Sequence, residues 1–358
     1  MQIDFHHGVT YVVARHAGLS RQQAATVAHC AQYVDDATND GEIAFQDGAL
    51  YRRMATAHRM IDYRNAVELA NHLVWIPFHF LPGNGGLPAG RNPRGSFIEK
   101  LICWPNSPVA QDMATACILD RDKPYGWHRL GITAHVFVDT WAHQGFAGVS
   151  HRVNRVRDLS DVAGQRDDDL MGRVIDYFAG LVQDKIPELG HGQALSNPDK
   201  PYAVWSYTDG LGRRILRDNP TDFTEAADQL CRVFRRYLRG EPKARVRGLD
   251  PAVKRVISGM LRQLADPDGA VRHKAWLAAI RRDAFGFGAE KVSYLAKGKG
   301  SWKHKALGTE RETDRENDRF PFKRGFLTSD WKMFHDGAKA HRRAVVDDVL
   351  PRYGIVAA

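Results

Sequence analysis

The stretch from Trp127 to Gly148, WHRLGITAHVFVDTWAHQGFAG, decides how the chain is read. It predicts a helix over about 128–147, ended by Gly145 and Gly148. His128, His135, Asp139 and His143 stand at offsets of seven, four and four. At about 100° of rotation per residue they share an arc of roughly 80° on one face. The surrounding residues, Ile132, Val136, Phe137, Val138, Trp141 and Phe146, make the helix too apolar for the surface. Three imidazoles and a carboxylate buried among them need partners. Ordinary hydrogen bonds in a large core are one solution. A metal ion is the other, and four groups on one stripe favour it: imidazole nitrogen and carboxylate oxygen suit zinc, iron or manganese, and ligands four residues apart on a helix reach one ion.

One helix cannot complete such a site, so His and Asp elsewhere become candidates. His6 and His7 open the first helix, where neighbouring residues point about 100° apart and only one can face a given ion. Asp35 and Asp36 end the second helix in QYVDDATND, as site carboxylates or as a cap. His79 sits between aromatics in PFHFLPG, and His191 and Asp199 frame the loop GHGQALSNPD. The ligand set expected is His6 or His7, with His79, His135, Asp139, His143 and His191, and Asp35 or Asp36 acts as base or further ligand. His58 and Asp62 repeat the His-x-x-x-Asp spacing and read as an exposed helix pair.

Working outward, residues 5–36 read as helix, turn, helix, with the break at Gly18-Leu-Ser20 and Ser20 as N-cap. Further helices are expected at about 49–74, 109–118, 169–186, 222–239, 251–265, 270–284 and 329–349. Residues 77–108 are dense in Gly and Pro, and a loop of that length in a compact domain lines a site or is disordered; its aromatics favour the first. Residues 286–325, rich in Gly, Lys and Arg, read as a second extended loop. The strand signal is weak throughout, leaving the 77–108 and 286–305 loops as places for a small hairpin. The expected fold is therefore mainly all-α, a multi-helix, metallohydrolase-like bundle with long irregular loops. Residues 1–240 form its metal-binding catalytic domain, and 241–358 a basic helical region, separate or packed on the first.

Charge supports that division. Residues 241–358 carry 25 Lys and Arg against 15 Asp and Glu, whereas 1–240 carry 26 against 27, so the whole excess of +9 lies in the last third. Such a region attracts an anionic surface: phospholipid, nucleic acid or an acidic protein partner. Cys30, Cys103, Cys117 and Cys231 contain no CxxC pair, which disfavours a disulfide scaffold and a thiolate metal site. The opening MQIDFHHGVTYVV has no A-x-A-like cleavage site after its short apolar run, so the protein is read as cytoplasmic or exported without a signal peptide. No run of about 20 apolar residues suggests a transmembrane segment.

The opening MQIDFHHGVTYVVARHAG, with AQYVDDATND, IPFHFLPGN, HVFVDTWAHQGFAG and the segment from GHG to PDKPY, resembles an uncharacterised bacterial family over roughly residues 1–210. That family names no activity. A more distant similarity is to the zinc-dependent phospholipase C and single-strand-specific nuclease superfamily, whose all-α members hold three zinc ions with His and Asp from several helices. The resemblance maps its His-x-x-x-Asp motif onto His135 and Asp139, its early His onto His6 or His7, and its nearby Asp onto Asp35 or Asp36. The superfamily's next His lies further along than His143, its later His-x-x-x-Glu pair has no match, and its ligating mature N-terminal residue is absent. The resemblance thus implies one to three zinc ions, with one or two the better-supported count.

These readings imply a metal-dependent, phospholipase C-like phosphodiesterase that uses activated water, its basic last third docking on the anionic substrate. One alternative is a metal-dependent nuclease, with Trp302 and Phe320 as stacking positions. The other is a non-enzymatic, metal-stabilised helical protein or secreted toxin that binds a partner through its basic region. No nucleophile elbow, phosphate-cradling loop or dinucleotide fingerprint is present.

Overall fold

The computed structural model describes residues 1–57, 68–161, 190–315 and 317–357. Two expectations lie outside these residues: the pair His58 and Asp62, and the helix at 169–186. The chain opens with a π-helical turn, Asp4–Val9, that runs into α1 (Thr10–Ala17). Gly18, at a φ of 110°, ends α1 in the left-handed conformation that favours glycine. Ser20 then starts α2 (Arg21–Asp36) with a capping box, accepting from the Gln23 amide while the Gln23 side chain accepts from the Ser20 amide.

After the hairpin of β1 (Gly41–Ala44) and β2 (Leu50–Arg53) come α3 (Glu68–Phe78), α4 (Ile98–Leu101), α5 (Pro108–Leu119) and α6 (Gly126–Ala142). A three-stranded antiparallel sheet follows, ordered β3 (Val156–Asp161), β4 (Val204–Asp209), β5 (Arg214–Asp218). The remaining α-helices are α7 (Asn219–Arg239), α8 (Pro251–Gln263), α9 (Gly269–Arg281), α10 (Trp302–Leu307) and α11 (Asp330–Arg343), joined by irregular segments.

The all-α expectation is therefore corrected. Helices dominate at 53% against 9% strand, but two small sheets make the fold mixed. The strands are only four to six residues long, too short for a strong periodic signal. Their local cues are nonetheless present. Asp47-Gly48 turns the first hairpin, with Gly48 at a φ of 89°. In β4, buried Trp205, Tyr207 and Asp209 alternate with half-buried Val204, Ser206 and Thr208. Where a helix is expected over 49–74, Leu50–Arg53 form β2 and residues 68–74 lie in α3, while 58–67 fall outside the described residues.

Every residue of α6 except Trp127 is buried, which makes it the central helix, flanked by α2, α3, α5, α7 and α11. It stops at Ala142, earlier than expected, with the His143 amide bonded to the Asp139 carbonyl. The last third belongs to the same body: α11 packs on α6, and α9 packs on the opening turn.

The closest approach is between α2 and α6 at Gly131. A Cβ there would lie 2.4 Å from the Val27 carbonyl oxygen and 2.5 Å from Cys30 Cβ, neither of which can swing away. Gly131→Ala is therefore expected to destabilise by about 1–3 kcal/mol through overpacking, although alanine in an open helix would gain about 1 kcal/mol. Denaturant unfolding reads the sign, and a neutral or stabilised variant would refute the close approach.

Candidate metal centre

The crossing of α2 and α6 sets Asp35, in the last turn of α2, against His135 and Asp139, one turn apart on α6. The π-helical opening turn adds His6. His79 follows α3, His143 follows α6, and His191 and Asp199 come from the loop before β4. Three groupings result, each with ligand atoms within 4.8 Å of one another: His6, Asp35 and His135; His79, His135 and Asp139; His143, His191 and Asp199.

Backbone carbonyls fix which ring nitrogens face inward. A carbonyl only accepts, so the ring nitrogen facing it carries the hydrogen. His135 Nδ1 donates to Ala31 O at 2.7 Å, His79 Nε2 to Thr56 O at 2.9 Å, His143 Nδ1 to His79 O at 2.7 Å, and His191 Nδ1 to Leu195 O at 2.9 Å. Where such a ring is neutral, its other nitrogen presents a lone pair. His135 Nε2 then lies 3.3 Å from His79 Nδ1 and 3.1 Å from Asp139 Oδ2, three electron-rich atoms with no hydrogen between them. Asp139 Oδ2 and both nitrogens of His6 have no hydrogen-bond partner, although His6 Nε2 approaches Asp139 Oδ1 to 3.2 Å. Buried atoms left this way are costly, and a shared cation satisfies them together. The residues present fit a metal.

The grouping of His143 and His191 is joined through Asp199, 3.3 Å from His143 Nε2 and 3.2 Å from His191 Nε2. The Met1 α-amine lies between the two, 2.7 Å from Asp139 Oδ1 and 3.0 Å from Asp199 Oδ1. Burial opposes its charge, but Asp139, Asp199 and Asp35 outweigh that and hold its pKa up to about 11. Burial likewise raises Asp139 and Asp199. The amine and the imidazoles reverse the effect and hold both carboxyls well below the usual range. Burial lowers His135 to about 4 despite Asp139, and takes His6 well below the normal imidazole value. These rings are neutral at pH 7 and ready to ligate.

Asp35 differs. Removal from water raises its pKa, the Met1 amine opposes this, and Asp139, Asp36 and Asp199 push it further up, leaving it well above the carboxylate range. Its side chain is 34% exposed, against 17% for Asp199, 19% for His191 and at most 6% for the other imidazoles and Asp139. Solvent therefore reaches the centre on the side of Asp35, His191 and Asp199.

Of each ambiguous pair, one member faces the centre. His6 does, whereas His7 Nδ1 meets His273 Nε2 at 2.9 Å. Asp35 does, whereas Asp36 accepts from Tyr294 Oη at 2.5 Å and Gln32 Nε2 at 3.2 Å. His128 falls outside the centre, paired with Asp330 at 2.9 Å. Seven residues of helix put it about 10 Å along the axis from His135, too far to share an ion. Asp199, noted in the sequence only as framing its loop, proves central. Its signal was weak: an Asn-Pro-Asp turn with no periodicity to aim it. The Met1 amine has no side-chain signal at all.

Fold and site together define a predominantly helical protein with a buried His/Asp centre of metal-binding composition. The chain belongs to DUF6765, a family of unknown function, which it matches over residues 1–349. No curated protein and no solved structure matches it.

Proposed function

We propose that the protein is a metal-dependent hydrolase of phosphodiesters. The observation that carries this reading is the convergence of His135 Nε2, His79 Nδ1 and Asp139 Oδ2 with their lone pairs inward and no hydrogen to share. His6, His79, His135 and Asp139 would hold one ion, and His143, His191 and Asp199 a second. This donor set suits zinc, with iron or manganese as substitutes. A bound ion supplies Lewis acidity and makes a coordinated water acidic near neutral pH.

The chain's own groups do the rest. Backbone carbonyls keep the imidazoles in one tautomer and orientation, so no reorganisation is needed when substrate arrives. Asp35 stands on the solvent side, where it takes the proton from the attacking water and returns one to the leaving oxygen. The distant similarity to the phospholipase C and nuclease superfamily supports a phosphodiester over other esters, as does the chain's excess of positive charge. Trp302 stacks on His29 at 3.7 Å and Phe320 is buried, so both aromatics are engaged in packing.

The test is hydrolysis of bis(p-nitrophenyl) phosphate by zinc- or manganese-loaded protein beside Asp35→Asn. Turnover is expected in the parent, with kcat lowered roughly 10²–10⁴-fold in the variant. A metal-loaded parent without turnover, or a variant as fast as the parent, would sink the assignment.

No helix among the described residues is long and apolar enough to cross a membrane.

A further inference from the structure

A concentration of positive charge lies away from the metal centre, at the end of α7. Between Gln229 and Leu249 the chain carries seven cations, Arg232, Arg235, Arg236, Arg239, Lys243, Arg245 and Arg247, against one acid, Glu241. Gly240, at a φ of 70°, ends the helix, and after a turn closed by the Ala244 amide on the Glu241 carbonyl the chain runs back along it. Three arginines of α7 hold the returning segment by its carbonyls: Arg232 Nη1 donates to Val246 O at 2.9 Å, Arg235 Nη1 to Arg247 O at 3.2 Å, and Arg236 Nη1 to Pro242 O at 3.3 Å.

Burial along this segment alternates. Pro242, Ala244 and Val246 are half-buried toward the helix, and Lys243, Arg245 and Arg247 are exposed. Lys243, in the turn, and Arg245 and Arg247 beyond it therefore follow one another as exposed cations along the segment. Beside the row is a cleft of about 450 Å³ lined by Gln111, Gln229, Arg232, Arg236, Ala244, Arg245 and Val246.

The charges in this cleft are poorly compensated. Arg232 pairs with Asp228 at 3.2 Å, but Asp228 also accepts from the Leu249 amide and faces Lys254. The bonds of Arg236 go to neutral oxygens, of Gln111, Arg232 and Pro242. Burial and the charge of Arg232 both pull its guanidinium pKa down. Among the described residues, Lys243, Arg245 and Arg247 make no ion pair. An arrangement that keeps guanidiniums together without carboxylates is stabilised by an anion bound between them.

We infer that the row Lys243, Arg245, Arg247 and the adjoining cleft with Arg232 and Arg236 form a binding track for a single nucleic-acid strand, held by its phosphates. A succession of exposed cations fits a linear polyanion better than one small anion. Leu238 is the one large apolar side chain of α7 left exposed, so the face lacks the apolar anchors with which proteins enter a membrane. No aromatic lines the cleft, so the bases go unread and binding is independent of sequence.

The inference does not rest on the hydrolase reading, and its test is made with EDTA present so that metal chemistry plays no part. Fluorescence anisotropy of a labelled oligothymidylate is followed from about 50 to about 200 mM salt, the range over which phosphate contacts weaken most visibly. The variant Lys243→Gln/Arg245→Gln/Arg247→Gln removes exposed side chains that make no internal bond, so it should fold as the parent does. Each phosphate contact on a single strand contributes about 0.7 to the salt slope, so the variant's slope should fall by about 2, and its affinity should lose roughly twentyfold less over that range. Arg236→Gln, which empties the cleft of its least compensated charge, should also weaken binding. Equal slopes for parent and triple variant would overturn the track. So would a parent that binds anionic phosphatidylserine vesicles but not the oligonucleotide, or one that binds neither.

Discussion

Replacing His135 and Asp139 together by alanine is expected to strip the protein of bound metal. His135 Nε2 and Asp139 Oδ2 are 3.1 Å apart, and Asp139 also faces His6, His79 and His143, so the two substitutions remove the hub of the centre. Structural zinc sites bind with about 10–16 kcal/mol from some four ligands, so losing two corresponds to a fall in affinity of at least roughly a thousandfold. Elemental analysis of parent and variant reads the stoichiometry. Thermal unfolding gives an independent reading: zinc at a thousand times its Kd stabilises the parent by about 4 kcal/mol and should leave the variant unmoved. Alanine is the best helix former, so α6 itself should persist. A folded parent that neither contains metal nor responds to it would defeat the metal centre. The same cluster would then be a polar core satisfied by its own protons, with the Met1 ammonium as its cation.

Arg272→Met is expected to be the most damaging single change away from the centre. Arg272 and Asp4 are 0% and 1% exposed, with Nε 2.6 Å from Oδ2, and Arg272 also bonds Gln2 and the Asp266 carbonyl. Burial raises the Asp4 pKa even with the guanidinium beside it, so removing Arg272 leaves a buried carboxyl with only backbone amides to hold its charge. Breaking such a pair from one side costs about 3–5 kcal/mol. Because Asp4 opens the turn that carries His6, zinc affinity should fall as well. Asp4→Asn combined with Arg272→Met should recover part of the stability, since no uncompensated charge remains. Chemical denaturation measures all three proteins, and a loss below about 1 kcal/mol for Arg272→Met would mean the pair behaves as a surface one.

Much of the helical framework and the heart of the centre were legible in the chain. The Gly18 break, the Ser20 cap and helices α5 to α9 follow from local rules, because each depends on residues within a turn or two. The stripe of His135, Asp139 and His143 was readable because helix geometry alone places ligands four residues apart on one face. His128 obeys the same angle and fails on distance along the axis, which an angular reading ignores. The strands were lost because four to six residues of mixed polarity look like loop, and the Asp47-Gly48 turn and the alternation of Trp205 and Tyr207 are short cues.

What the sequence by itself determined is that His135 and Asp139 share one face of α6, that they lie buried, and that the cluster is built of His and Asp. The tertiary structure alone decided between His6 and His7 and between Asp35 and Asp36. Adjacent residues differ only in direction, and direction depends on how a π-helical turn and the end of α2 meet α6 across the Gly131 contact. It alone brought in Asp199 and the Met1 amine, from positions far apart in the chain, and set four backbone carbonyls against four imidazoles. Periodicity encodes the face of one helix, whereas a ligand cluster exists only where several elements converge, and that convergence is fixed by packing.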